Sequence, residues 1–323
     1  MVDDPFELAF ADDLESAEKF QVWLDVLDEC EDLVGEYLRL AFLTETAPPS
    51  DKATRTRLWK RLRQLRTAHA TEWFGVKSTE DDWRWGIARG LRLDPTLEAI
   101  DRCLTSRLGR FVTDFSVAGE LDQDLTRSLV RRFSKHRCLR GLTLATSRRE
   151  AVFPMGALPL RRLALRAFSL DDSAAMNAEM EALTMEAVTF PATLVDVLSQ
   201  PAARLRLLVL DGAPDQTQQL TLRLSARSHP ALARLSVEVV DGDAVVGHVV
   251  ASGLIDGLKA LTVDGPLTDQ GLEVLFAHEP RFAALEKLTL DWRSCSIEQV
   301  QRLVARFPRI GMTPHLDASA WID

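Results

Sequence analysis

A short apolar pattern recurs along most of the chain and constrains the fold more than any other feature. The pattern reads apolar-x-x-apolar-x-apolar, and its successive copies begin 20 to 27 residues apart. Self-similarity at this period is typical of stacked repeats that bury their apolar faces against one another. The eight copies begin at Val112, Leu139, Leu160, Met180, Leu205, Leu232, Leu258 and Leu285.

The residues within and between the copies predict one strand and one helix for most repeats. The last two apolar positions of each copy alternate with small or polar residues, as in a half-buried strand. Between copies, Leu272, Leu275 and Phe276 have helical spacing, and Thr268 can cap that helix. The repeats between residues 139 and 180 are too short for a full helix and should contain turns. Residues 90–93 (GLRL) read as a degenerate first strand. The expected fold is α/β: a curved parallel sheet with helices on its convex side.

The repeats resemble leucine-rich repeats of the ribonuclease-inhibitor type. The segment LTDQGLEVLFAH followed by LEKLTLDW carries the resemblance best. It implies a leucine-rich-repeat solenoid. That family commonly places Asn or Cys three residues after the last strand leucine, where the side chain bonds neighbouring turns. This chain departs from the rule, and its residues there are Glu120, Ser147, Phe168, Val188, Ala213, Val240, Pro266 and Arg293.

The first part of the chain predicts helices. Phe20, Trp23, Leu24 and Leu27 form one apolar stripe, and further stripes lie at 37–41 and 58–73. Three segments resemble a bacterial repeat-companion domain: WLDVLDECEDLVGEYLRLAFL, RLRQLRTAHATEWFG and DDWRWGIARGLRL. This domain precedes leucine-rich repeats, notably in myxobacteria and planctomycetes. The resemblance implies a helical cap at 1–80 and a degenerate solenoid at 81–323, and it transfers no biochemical activity.

Charge is divided unevenly within this helical part. Residues 1–47 carry 14 acidic side chains against Lys19 and Arg39, and residues 48–66 carry seven basic side chains against Asp51. We expect the basic helix to pack beside the acidic ones. The alternative is a docking helix for an acidic partner or RNA. Because the charges do not form one stripe with interleaved aromatic residues, and because the net charge is −9, nucleic acid is not the expected partner.

The rest of the sequence predicts a reduced cytoplasmic protein without a cofactor. The beginning of the chain lacks the features of a signal peptide, and the longest nearly apolar run, 244–255, is too short to cross a membrane. The four cysteines are far apart and form no CxxC pair.

The residue that follows each strand predicts a partner-binding surface on the concave side. It is acidic in the last five repeats. Adjacent positions in a parallel sheet lie close together, so these carboxylates would repel one another unless a cation or a basic partner neutralised them. Trp292 beside them could anchor a protein partner. The predicted partner-binding residues are Arg166, Glu186, Asp211, Arg234, Glu238, Asp264, Asp291 and Trp292.

Two other interpretations of these acids remain open: turn-forming residues that bond nearby amides, and a divalent-metal site. No phosphate-binding loop or hydrolase motif is present, and His136 and Cys138 lack the spacing of a base and its nucleophile. The expected function is a non-catalytic adaptor or inhibitor that binds a protein with a basic surface. The alternatives are a bacterial signalling or defence component cleaved in a connection at 147–158 or 212–219, and an enzyme with a concave-face site.

Overall fold

The structure is a computed structural model that describes residues 5–30, 32–46, 50–76, 83–147, 151–154, 158–170, 177–189, 192–291, 295–307 and 310–311. The chain separates into two compact units, residues 1–144 and 145–323.

Helices form the beginning of the first unit, as predicted. Ser16 and Asp51 cap the second and fourth helices by accepting backbone N–H groups. The predicted stripe Phe20, Trp23, Leu24 and Leu27 is buried in full, because a helix places residues three or four apart on one face. These helices are α1 (Pro5–Asp12), α2 (Ala17–Glu29), α3 (Leu33–Thr46) and α4 (Lys52–Phe74).

The remainder of the first unit contains strands and two helices. The predicted strand at 90–93 is present and pairs in parallel with the next repeat, Leu91 beside Phe115 and Leu93 beside Val117. A short antiparallel hairpin precedes it. The elements are β1 (Trp83–Arg84), β2 (Ile87–Ala88), β3 (Gly90–Leu93), α5 (Leu97–Thr105), a 3-10 turn (Gly109–Phe111), β4 (Asp114–Gly119), α6 (Gln123–Phe133) and β5 (Gly141–Thr146).

Acidic residues of α1 and of the turn that follows it pair with arginines of the first unit. Arg110 pairs with Glu7 and Arg137 with Asp12. Glu15 faces both Arg84 and Arg89, at 2.7 Å for Arg89. Part of the acidic excess of the first 47 residues is thus compensated from the strand-bearing segment rather than from the basic helix α4.

The second unit is an α/β arrangement around a parallel sheet. Seven strands lie in chain order, β7-β9-β10-β11-β12-β13-β14, and every neighbouring pair is parallel. The strands are β6 (Val152–Phe153), β7 (Arg162–Arg166), β8 (Ser169–Leu170), β9 (Ala182–Glu186), β10 (Leu207–Asp211), β11 (Arg234–Glu238), β12 (Ala260–Asp264), β13 (Lys287–Leu290) and β14 (Ile310–Gly311). The helices are α7 (Ala192–Leu198), α8 (Pro214–Thr221), α9 (Gly242–Ala251), a 3-10 turn (Leu254–Asp256), α10 (Asp269–Ala277), α11 (Glu279–Ala283) and α12 (Ile297–Arg306).

The apolar pattern predicts the register of this sheet. Leu208 pairs with Leu183 on one side and Leu235 on the other, and Leu261 pairs with Leu235 and Leu288. All are buried. Between β5 and β9 the described residues form the strands β6, β7 and β8 and no helix, which fits the short repeats there.

One predicted connection is wrong. We expected an exposed loop at 212–219, but Pro214 begins helix α8. Proline suits the first helical position because its fixed φ is already helical and its missing N–H would have no partner there. The alternative of cleavage at this connection loses its support. In the other proposed connection, 147–158, the described residues include β6.

Burial makes two of the four cysteines unreactive. It raises the pKa of the Cys103 thiol to about 12 and that of Cys138 to about 11. Cys30 is exposed, and all four thiols are free. No helix among the described residues has both the length and the apolar character needed to cross a membrane.

Candidate partner-binding face

One face of the parallel sheet in the second unit carries three columns of side chains, and we call it the polar face. Side chains alternate along a strand, so the leucines point to one side and these columns to the other. The start column contains Arg162, Ala182, Leu207, Arg234, Ala260 and Lys287; the middle column Ala164, Thr184, Val209, Ser236, Thr262 and Thr289; the end column Arg166, Glu186, Asp211, Glu238, Asp264 and Asp291.

The register brings the five predicted acids together, and we call Glu186, Asp211, Glu238, Asp264 and Asp291 the carboxylate column. Glu186 pairs with Asp211, and Glu238 with Asp264. The Asp291 N–H donates to the Val263 carbonyl at 3.0 Å, which places Asp291 next to Asp264. Neighbouring strands lie about 4.8 Å apart, a distance at which like charges interact strongly once water is partly excluded.

Asp211 responds to this arrangement. Its pKa rises to about 6, first because the carboxyl is buried, then because it hydrogen-bonds to Glu238 and lies near the charges of Glu238, Glu186 and Asp264. Burial and like charge both disfavour the ionised form. The hydrogen bond between the two carboxyl groups requires a proton on one of them. A cation placed on the column would lower this pKa and release the proton.

Some of the column also takes part in turn chemistry. The Gly212 N–H donates to Glu238 Oε2 at 2.7 Å, so this carboxylate joins two neighbouring repeats. Arg166 lies 3.8 Å from Glu186 and is largely exposed. Elsewhere, Asp241 caps α9, and Asp243 accepts the Thr268 N–H at 2.8 Å. Sequence reasoning missed both acids. Asp241 is a local N-cap that its position before the helix could have indicated, whereas the bond from Thr268 to Asp243 depends on the packing of the two repeats.

The middle column contains buried hydroxyl groups that have no hydrogen-bond partner among the described residues. Ser236, Thr262 and Thr289 are 4%, 2% and 5% exposed, and their hydroxyl oxygens make no hydrogen bond within that part of the chain. An unpaired buried polar group costs roughly 1–3 kcal/mol and is uncommon in folded proteins. The sequence predicted small polar residues here, and the structure adds their burial. They stand two residues before Glu238, Asp264 and Asp291, on the same face.

The other predicted site residues are placed differently. Arg234 is exposed in the start column, four residues before Glu238 on the same strand, and therefore roughly 13 Å from the carboxylate column. Asp291 is only 6% exposed. Trp292 lies outside the described residues. The structure therefore groups the acids and Arg166, and separates Arg234 from them.

Other reactive side chains do not assemble into a recognisable centre. His136 Nε2 lies 3.4 Å from the Gly109 carbonyl, and Cys138 Sγ lies 3.8 Å from the Ala11 carbonyl. Burial lowers the pKa of His136 and raises that of Cys138, which is opposite to the activation of a nucleophile. Within the described ranges, no three His, Cys, Asp or Glu side chains come together as metal ligands.

Comparison with known proteins gives a likeness of fold. No family model matches the chain, and no curated protein matches it. A crystal structure of a Bacteroides fragilis protein, a structural-genomics target, is similar with a TM-score of 0.50 and 16% sequence identity. The match covers 82% of this chain and 84% of that one. At this identity the likeness concerns the fold alone.

Proposed function

We propose that residues 81–323 form a degenerate leucine-rich-repeat solenoid, and that the polar face in its second unit binds a protein partner. In this proposal the face is concave, and lysine or arginine side chains of the partner pair with the carboxylate column. The chain then acts in the cytoplasm as an adaptor or inhibitor and needs neither a cofactor nor a catalytic residue. The helices α1–α4 take the part of the repeat-companion domain and cover the open apolar end of the first repeat.

One observation carries this proposal: a register-aligned column of carboxylates beside a column of buried hydroxyls without partners. Partner amines and guanidinium groups can neutralise Asp211 and Glu238, and partner backbone or side-chain groups can hydrogen-bond to Ser236, Thr262 and Thr289. Both changes remove a cost present in the isolated chain. A turn-forming role alone accounts for Glu238 but not for the hydroxyls.

A matched pair of variants tests the proposal. The face variant is Asp211→Asn/Glu238→Gln/Asp264→Asn, in which Gln keeps an acceptor for the Gly212 N–H. The control, Asp215→Asn/Glu273→Gln/Glu298→Gln, removes the same number of charges from helices α8, α10 and α12. Each protein is immobilised, and proteins captured from an extract of the source cells are identified by mass spectrometry.

We expect wild type and control to capture the same stoichiometric partner and the face variant to lose it, although the face variant should unfold at no lower urea concentration than the other two. Binding should weaken as salt rises, since it depends on ion pairs. Capture of the same proteins by all three chains would contradict binding at the polar face. Loss of capture by the control as well would assign the effect to total charge.

A further inference from the structure

The first half of α4 presents a basic surface that the proposed function does not use. Residues 52, 55–57 and 59–61 are all exposed. The same helix buries Leu62, Leu65 and Trp73 in the first unit, on a side next to these exposed residues. The helix is thus held by one side only, and its outer side is open to a ligand.

The exposed side chains form one continuous line with an aromatic ring inside it. Lys52, Arg55, Trp59, Arg63 and Arg66 follow one another at steps of three or four residues, which places them on one side of the helix. We call these five residues the α4 stripe. It extends over about 21 Å, at 1.5 Å per residue. Trp59 is 53% exposed, and Arg55 and Arg63 lie one turn before and one turn after it.

A second aromatic ring extends the stripe. The Arg66 guanidinium lies over the Trp83 ring, 4.8 Å from its centre. This contact orients Arg66 by a cation–π interaction. Four of the seven basic residues of 48–66 share this line with Trp59, whereas Arg57, Lys60 and Arg61 lie elsewhere around the helix, as the sequence indicated. Helical spacing brings Trp59 between two arginines, and the tertiary fold brings Trp83 beneath a third.

The cations of the stripe lack acidic partners within the part of the chain that the structure describes. Arg61 pairs with Glu36 at 2.8 Å on the inner side of α4, whereas Lys52, Arg55 and Arg63 form no ion pair with any described residue. Asp51, the neighbour of Lys52 in the chain, accepts the Ala53 and Thr54 N–H groups as the helix cap. Acidic groups elsewhere on the molecule are screened beyond about 8–10 Å at ordinary salt.

We propose that the α4 stripe binds single-stranded nucleic acid. The arginines bond phosphate oxygens, with two parallel hydrogen bonds where the geometry allows, and a base stacks on the exposed Trp59 ring. Cations that follow a backbone, together with an aromatic platform, form the usual combination for binding single strands without sequence preference. An acidic protein would satisfy the cations, and an exposed Trp can also anchor a protein, but the alternation of cations with a ring along one line fits the repeating phosphates and bases of a strand. A membrane would need an apolar helix face, and that face of α4 is already buried in the first unit.

Fluorescence anisotropy with the full chain tests this proposal. The probes are dye-labelled 12-nucleotide oligouridylate and oligothymidylate, titrated at 50 and 200 mM salt. We expect saturable binding of one or both, weakening as salt rises because each phosphate contact releases a counterion. Oligouridylate binding alone would identify RNA as the natural class, and oligothymidylate binding alone would identify DNA. No binding of either probe at 50 mM salt would overturn the proposal.

Variants separate stacking from charge. Trp59→Ala should weaken binding roughly fivefold or more at both salt concentrations, and Trp59→Phe should restore part of it, because stacking needs only an aromatic face. Arg55→Gln/Arg63→Gln should reduce the slope of log affinity against log salt by about 1.4, at about 0.7 per phosphate contact. The control Arg127→Gln/Arg131→Gln removes two exposed cations from α6 and should bind as wild type does.

Two results would contradict the stripe specifically. If the α6 control loses as much affinity as the α4 variant, binding is a general property of surface cations. If poly-glutamate displaces the oligonucleotide as well as unlabelled oligonucleotide does at equal charge, the surface fits an acidic protein instead. Since the stripe belongs to the first unit and the carboxylate column to the second, neither result bears on partner capture by the polar face.

Discussion

Asp211 differs from an ordinary surface carboxylate because it is partly shielded from water and also lies close to other carboxylates. An isolated Asp has a pKa near 3.9, and Asp211 in the folded chain has one of about 6. Between these values the folded state holds a proton that the unfolded state has lost. Stability must therefore fall as pH rises from about 4 to about 6, and the loss is complete above pH 6.

We predict that Asp211→Asn stabilises the protein at neutral pH. The amide keeps the shape and removes the ionisation, so the free energy of unfolding should rise by about 1 to 2 kcal/mol at pH 7.5 and change little below pH 4. Urea unfolding at the two pH values measures this difference. Glu273→Gln, an exposed acid on α10, is the control and should shift neither midpoint. A gain for Asp211→Asn that is equal at both pH values would contradict the linkage.

The acids of the candidate site could be listed from the sequence, because a parallel sheet in chain order aligns equivalent positions of successive repeats. The individual environments of these acids could not be predicted from the sequence. Which acid bonds a turn amide, as Glu238 does at Gly212, depends on how tightly two turns approach. Whether Ser236 is open or buried depends on what packs above the strand, and no local pattern carries that information.

At the scale of elements, helix α4 ends at a glycine, and any other residue at that position would be strained. Gly75 has φ +72° at the helix C-cap, and a Cβ there would lie 2.6 Å from the Cys103 nitrogen and 2.7 Å from the Arg102 carbonyl carbon and oxygen. The left-handed backbone favours glycine, and the close approach fixes the helix end against α5.

We predict that Gly75→Ala lowers the free energy of unfolding by about 2 to 4 kcal/mol, because it combines a strained φ with a backbone clash. Thermal or urea unfolding measures the loss. Gly90→Ala is the matched control: a Cβ at Gly90 meets nothing within 4 Å, so this change should leave the midpoint within the usual range for surface substitutions. Equal behaviour of the two variants would show that α4 does not depend on this close contact.

The periodicity of the sequence predicted the strands and most helices, but it did not predict the turns that follow the strands. Ala167, Ala187 and Ala213 all have positive φ, between 49° and 61°. Alanine gives no sequence signal for this conformation, which costs an L-residue free energy and persists only when packing imposes it. The same limit explains α8: its first residue, Pro214, was mistaken for part of a loop because the turn before it was unpredictable.

At the scale of the whole molecule, the second unit is held together by contacts between consecutive repeats. Each of the strands β9 to β13 pairs with one strand before it and one after it in the sheet, so we expect a defect to affect these two neighbours first. The buried Leu261 of β12 shows this: its backbone partners are Leu235 in β11 and Leu288 in β13.

We predict that Leu261→Ala costs about 2 to 5 kcal/mol, the range for a fully buried leucine whose loss leaves a cavity. Hydrogen exchange followed by mass spectrometry should show faster exchange in β11, β12 and β13 than in wild type, with a smaller change in β7. Leu222→Ala removes the same side chain from a partly exposed position and should have little effect. Uniform acceleration over β7–β13 would mean that the unit opens as one block.

A partner that lies along the carboxylate column must carry its cations at a repeat distance close to the spacing of the strands. Strands about 4.8 Å apart place Glu186 and Asp291 four steps, or about 19 Å, from each other. A helix that carries one cation per turn repeats every 5.4 Å and drifts only about 2.4 Å over four steps, which a flexible lysine can absorb. An extended segment with a cation at every second residue repeats every 6.6 Å or so and falls about 7 Å out of step. If the polar face binds a partner as proposed, the spacing of its carboxylates matches a helical partner better than an extended one.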